Sequence, residues 1–235
     1  MQLFHNECCI REEKMSKDLR NIKTKENIES HFINLLERYK FQDITIKLLI
    51  NECQINRSTF YRNYEDKYDL IYKIVEELIK QFKKNIHCQF ITLHLKKEND
   101  FKPYFSSLLD YFNKHKDIFI VLYNNDLPIN IFDEMLTIYS HYLLNELIYH
   151  YHISDSQIKI ANYFSKIIAS NILVAIKWWH LESPQTSKEE ILSLIRNNPN
   201  KNISTNLKTI LPDGFVKELL NILNLSDVKG NSLTK

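Results

Sequence analysis

Residues 41–86 read FQDITIKLLINECQINRSTFYRNYEDKYDLIYKIVEELIKQFKKNI. Thr45 stands where a side-chain cap is wanted for a short helix through about Glu52, and Asn56 can cap a second one through about Asn63. Only Cys53, Gln54 and Ile55 lie between them, so the stretch reads as a helix-turn-helix. Ile46, Leu49, Ile55, Phe60 and Tyr64 can close a small core, which leaves Arg57, Ser58, Thr59, Tyr61 and Arg62 mostly outward on the second helix. A long helix then starts near Asp66, whose carboxylate suits the positive end of a helix dipole, and carries Leu70, Ile71, Ile74, Val75, Leu78, Ile79 and Phe82 at helical spacing.

Upstream, Ile28, Phe32, Leu35, Leu36 and Tyr39 fall on one face of a helix that begins near Thr24. Residues 1–21 mix charges of both signs without an apolar stripe and are expected to form a flexible extension. Downstream, amphipathic helices are expected at about 101–114, 116–123, 128–151, 155–181, 187–196 and 212–223. Linkers fall at 96–100, 124–127 and 196–205. Ser154, Ser187 and Asp213 are candidate caps, and Ser187 with Glu190 has the spacing of a capping box. The expected architecture is all-α: a helix-turn-helix domain over 22–86, joined by its long last helix to a larger helical domain over 87–235.

Composition points the same way. The chain has 235 residues (28.2 kDa), 44% of them hydrophobic and 26% charged, with only two glycines and five prolines. Tight strand turns need glycine far more often, and with Gly214 and Gly230 alone no G-x-G-x-x-G, Walker A or G-x-S-x-G loop can be written. No cofactor is called for. The most apolar run, Ile167 to Trp179, contains Ser170, Asn171 and Lys177 and falls short of the roughly 20 apolar residues of a membrane span. Cys8, Cys9, Cys53 and Cys88 show no C-x-x-C spacing and no leader pattern precedes them, so a reducing, cytoplasmic compartment is expected. His150 and His152 at i, i+2 point to different sides of a helix, which argues against a metal site. No nucleophile with an adjacent base can be assembled, so an enzyme is not expected.

The order of residues resembles the TetR/AcrR transcriptional regulators over about residues 24–75. A Thr-capped helix, a tight turn, a recognition helix ending in aromatic residues and a Lys opening the next helix occur in that family. Here they are Thr45, then INRSTFYRNYEDKYDL at 55–70. The chain departs from the pattern at Gln54, where the family usually has Gly, at Cys53 in place of Ala, and at Asn63 in place of a His that touches the DNA backbone. A weaker resemblance covers 163–195, which looks like the last two helices of many members. The resemblance implies a homodimer, with Phe164, Ile168, Ile172, Ala175, Trp179, Ile191 and Ile195 meeting the partner.

The residues themselves fit that reading. A helix N-terminus carrying Asn56, Arg57, Ser58 and Thr59 offers backbone N–H groups and hydroxyls to phosphates and base edges. Arg57 can hold guanine O6 and N7 together, whereas Thr59 and Tyr61 suit phosphates. Lys67 opposes the dipole of its own helix, which makes sense beside a phosphate. The DNA-contacting set is therefore Thr45, Asn56, Arg57, Ser58, Thr59, Tyr61, Asn63 and Lys67. Net charge decides nothing, since residues 1–87 hold sixteen Lys and Arg against fourteen Asp and Glu.

Phe105, Leu109, Phe112, Tyr139 and Leu143 are candidates to line a pocket for an apolar or aromatic effector; the alternative is that they are plain core. The expected function is a homodimeric repressor on a palindromic operator, with no membrane partner. Its competitor is a helical interaction or ligand-binding module whose helix-turn-helix does not read DNA.

Overall fold

The computed structural model describes residues 2–88, 102–151, 153 and 155–196. Among these are nine α-helices and one short 3₁₀ turn. They are α1 (Gln2–Arg38), the 3₁₀ turn Phe41–Asp43, α2 (Ile46–Glu52), α3 (Arg57–Asn63), α4 (Lys67–Asn85), α5 (Lys102–Lys114), α6 (Lys116–Asn124), α7 (Ile131–Tyr151), α8 (Asp155–Leu181) and α9 (Lys188–Arg196). The expected helix at 212–223, the caps Ser154 and Asp213 and the linkers at 96–100 and 197–205 lie outside the described residues. No helix among the described residues is long and apolar enough to cross a membrane.

The chain divides into two compact units, residues 1–77 with 121–129, and residues 78–120 with 130–235. Residues 121–129, read from sequence as part of the larger region, are grouped with the first unit. Asn125 anchors them there, its Nδ2 donating to Leu36 O at 3.0 Å. The expected flexible extension over 1–21 is a difference of another kind: the structure carries α1 back to Gln2 as one helix. Leu19 and Ile22 are exposed on it.

In the first unit Ile28, Phe32, Leu35 and Leu36 of α1 meet Phe41, Ile44, Leu49, Phe60, Leu70, Ile71 and Val75 in the core. Phe41 sits edge-on to Phe32 and to Tyr68, at 6.3 and 5.1 Å between ring centroids. Tyr39, expected on the inward face, is exposed.

In the second unit the core is aromatic. Phe82 contacts Phe112 and Tyr139 at 5.9 and 6.1 Å, and Phe112 contacts Phe119 at 4.8 Å. The Tyr111 hydroxyl donates to Leu78 O at 2.7 Å. α9 opens with a reciprocal capping box, Ser187 N donating to Glu190 Oε2 at 2.8 Å and Glu190 N to Ser187 Oγ at 3.2 Å. The bonds that Ser187 N and Ser187 Oγ donate to its carboxylate hold the Glu190 carboxyl below its usual range.

Candidate nucleic-acid interface

The first helix of the helix-turn-helix begins as its sequence suggests, with Thr45 Oγ1 accepting from Leu48 N at 3.1 Å. Its end is a Schellman turn. Gln54 N donates to Asn51 O at 3.2 Å and Ile55 N to Ile50 O at 3.1 Å. Gln54 takes φ 53°, the left-handed conformation that glycine adopts most cheaply, at a cost of about 1 kcal/mol for a residue with a Cβ. Cys53 is buried beneath the turn, where Asn27 Nδ2 donates to its carbonyl at 3.0 Å, and burial pushes its thiol up to about 11.

α3 is clamped from its inner side. Phe60 is fully buried against Tyr64, and the Tyr64 hydroxyl donates to Glu29 Oε1 at 2.6 Å. Burial, then that bond, raises the hydroxyl far above the usual tyrosine range. With 100° per residue, Arg57, Ser58, Tyr61 and Arg62 span about 140° of the helix surface. All four are exposed, while Thr59 is half-buried. The Arg57 guanidinium lies 5.5 Å from the centre of the Tyr61 ring and donates to its hydroxyl at 3.4 Å, so the two form one extended polar ridge. Asn56 caps by backbone alone, its carbonyl accepting from Thr59 N, and its exposed side chain makes no cap bond.

Two residues of the expected DNA-contacting set are placed otherwise. Asn63 is buried, its Nδ2 donating to Thr59 O at 2.8 Å, because position 63 lies on the inward side of α3 with Phe60. The Lys67 ammonium donates to the carbonyls of Phe41, Gln42 and Ile44 at 2.8 to 2.9 Å. Its three N–H donors are thereby used. It also sits over the Phe41 ring at 4.8 Å. The 3₁₀ turn supplies the negative partners that sequence reasoning assigned to a phosphate. The start of α4 belongs to Asp66, whose Oδ1 accepts from Tyr68 N and Asp69 N, both at 2.8 Å. Thr45, Asn56, Arg57, Ser58 and Tyr61 remain at the surface. Exposed Lys47 on α2 was missed, having no motif to mark it.

The expected partner-facing residues of α8 and α9 are also corrected. Phe164, Ile168, Ile172, Trp179, Ile191 and Ile195 are buried within the chain, and Ala175 is half-buried. Trp179 Nε1 donates inward to Thr186 O at 2.9 Å. The outward side of α8 instead carries Tyr163, Ile167, Ser170, Val174 and Trp178.

Of the expected pocket residues, Phe105, Leu109, Phe112, Tyr139 and Leu143 are each at most 1% exposed and lie in the core of the second unit. Polar groups are buried with them. Among the described residues the Tyr139 hydroxyl and both ring nitrogens of His180 have no hydrogen-bond partner. Burial, helped by the positive charge of Lys116 and opposed by Asp117, drops His180 to about 4, and burial raises the Tyr139 hydroxyl. Among the described residues no group of three His, Cys, Asp or Glu is placed to hold a metal ion.

Comparison with known proteins agrees on the fold. A TetR transcriptional regulator from Streptococcus agalactiae 2603V superposes with a TM-score of 0.51 at 23% identity, over 77% of this chain and 96% of that one. The chain therefore has the fold of a TetR regulator. An uncharacterized HTH-type transcriptional regulator of Bacillus subtilis (strain 168), YxbF, is 28% identical over 101 residues, 41% of this chain. The chain spans about a quarter of that relative's length, 26%. No protein-family model matches the sequence.

Proposed function

We propose that this chain is a sequence-specific DNA-binding transcriptional regulator of the TetR type. The observation that carries the reading is the outward face of α3, where Arg57, Ser58, Tyr61 and Arg62 are exposed on a helix held from behind by Phe60 and Tyr64. Arg57 reads a guanine edge, while the Tyr61 and Thr59 hydroxyls and Arg62 hold phosphates. Lys67 and Asn63 build the scaffold and leave the contact set.

One such helix reads only a few base pairs, so a two-fold dimer on an imperfect palindrome completes the site, with half-sites roughly 34 to 36 Å apart. Pairing through the second unit has to use outward residues such as Trp178 and the half-exposed Leu194, the inward ones being spent on the core. Repression from the cytoplasm is the simplest use of such a dimer.

Release by an effector rests on the Tyr139 hydroxyl and the His180 ring. Each buried unpaired polar group costs about 1 to 3 kcal/mol, which a small aromatic or apolar molecule bearing one hydrogen-bonding group would offset. The test of the whole reading is a footprint on the DNA upstream of the chain's own gene. Two protected half-sites one helical turn apart are expected; a shift that unrelated DNA competes away equally well contradicts it.

A further inference from the structure

Arg57 and Tyr61 stand at i and i+4 on α3, so their side chains share one face, about 6 Å apart along the axis. An exposed arginine on its long flexible stem ordinarily samples many positions, and fixing it on a target costs entropy. Here the guanidinium is held twice. Its central carbon lies 5.5 Å from the centre of the Tyr61 ring, within cation–π range, and Nη2 donates to the Tyr61 hydroxyl at 3.4 Å. The ring is fixed in its turn, standing edge-on to Phe60 with centroids 5.4 Å apart, and Phe60 is fully buried. Core, ring and guanidinium therefore form one chain running outward. Among the described residues no carboxylate pairs with Arg57, so the tyrosine holds the group without neutralising it.

We infer that Tyr61 is a positioning residue for base reading: besides touching a phosphate, it presents the Arg57 guanidinium to a guanine edge. The inference rests on the reading of α3 as the DNA-reading helix. The hydrogen-bonding groups suffice for both tasks at once. Nη2 carries two N–H groups; one goes to the Tyr61 oxygen, and the other remains, with its neighbour on the fork, for a two-point bond to guanine O6 and N7. The hydroxyl accepts from Arg57 on a lone pair and keeps its own O–H to donate to a phosphate oxygen. One hydroxyl thus joins the group that reads a base to the backbone that fixes the register. Holding the plane of the guanidinium favours the right base because the two-point bond is geometric, whereas attraction to scrambled DNA needs only the charge.

The test measures binding of wild type, Tyr61→Phe, Arg57→Ala and the double variant to a footprinted duplex and a scrambled one at several salt concentrations. Tyr61 is 46% exposed and phenylalanine keeps the ring, so Tyr61→Phe removes the hydroxyl alone. It should lower the preference for the site about threefold and leave the salt slope unchanged, because a neutral hydroxyl releases no counterion. In the Arg57→Ala background the same change should leave the preference where it is, the signature of coupled residues. Equal weakening on both duplexes, or an equal loss of preference in both backgrounds, would overturn the positioning role while leaving α3 as the DNA-reading helix. So would a preference unmoved by Tyr61→Phe in the wild-type background. A wild type that prefers neither duplex would overturn both readings.

Discussion

Among the described residues α3 and α8 each leave one helical face uncovered, and the two faces differ in kind. On α3 the outward residues are Arg57, Ser58, Tyr61 and Arg62, groups that water solvates well and that lose nothing by standing free. On α8 they include Tyr163, Ile167 and Val174, which gain by leaving water. A polar face can wait for an occasional anionic partner such as DNA, whereas an apolar one needs a resident cover. The inward sides differ as well: α3 is anchored by Phe60 and Tyr64, and α8 carries the titratable His180 into an aromatic core.

The largest effect expected from that contrast is mechanical. Phe60→Ala removes a fully buried ring and should cost about 4 kcal/mol, whereas Val174→Ala on the outward side of α8 should cost under about 0.5 kcal/mol. Urea unfolding followed by circular dichroism measures both, and equal losses would break the distinction between anchored and open faces.

Acid should separate the two regions next. His180 sits at about 4 in the fold and near 6.5 when unfolded, so its neutral form stabilises fully above pH 6.5. As pH falls from 6.5 to 4 the unfolded chain takes up a proton that the native state refuses, and about 3 kcal/mol is lost. Burial lowers His115 also, which adds in the same direction. Hydrogen exchange at pH 7 and pH 5 should show α8 loosening before α3, with His180→Leu flattening the dependence.

Lys67→Met is expected to cost about 2 kcal/mol through loss of charge-assisted bonds to three carbonyls, and to leave the salt dependence of DNA binding unchanged. Arg62→Ala should do the reverse, with stability near wild type and a salt slope lower by about 0.9. Parallel thermal melts and salt titrations separate the two roles. The smallest effect is a gain: Gln54→Gly relieves the left-handed strain and should add up to about 1 kcal/mol, the extra freedom of unfolded glycine taking part of it back.

Helix order and the helix-turn-helix were legible because caps and apolar spacing are local: Thr45, Asp66 and Ser187 act where their neighbours in sequence require. Gln54 stood out only against the family pattern, which usually has Gly there, and its φ of 53° is the left-handed conformation that Gly adopts most cheaply. What failed was non-local. Lys67 finds its carbonyls 23 to 26 residues earlier, in a 3₁₀ turn with no signature. α8 is apolar on more than one side, so periodicity could not say whether Phe164, Ile168 and Ile172 or Tyr163, Ile167 and Val174 face inward; packing on α7 and α9 settled it. Aromatic spacing likewise marked Phe105, Phe112 and Tyr139 without showing that Phe112 and Tyr139 both close on Phe82 and that all three are buried.

The claim that the outward face of α3 reads DNA is tested most directly by titrating wild-type and Arg57→Ala protein against a footprinted site and a scrambled duplex at several salt concentrations. The expected result is a wild-type preference for the site that Arg57→Ala narrows about tenfold, chiefly at one or two base pairs, with the folded state intact. An unchanged preference in Arg57→Ala, or no preference in the wild type at any salt concentration, would contradict it.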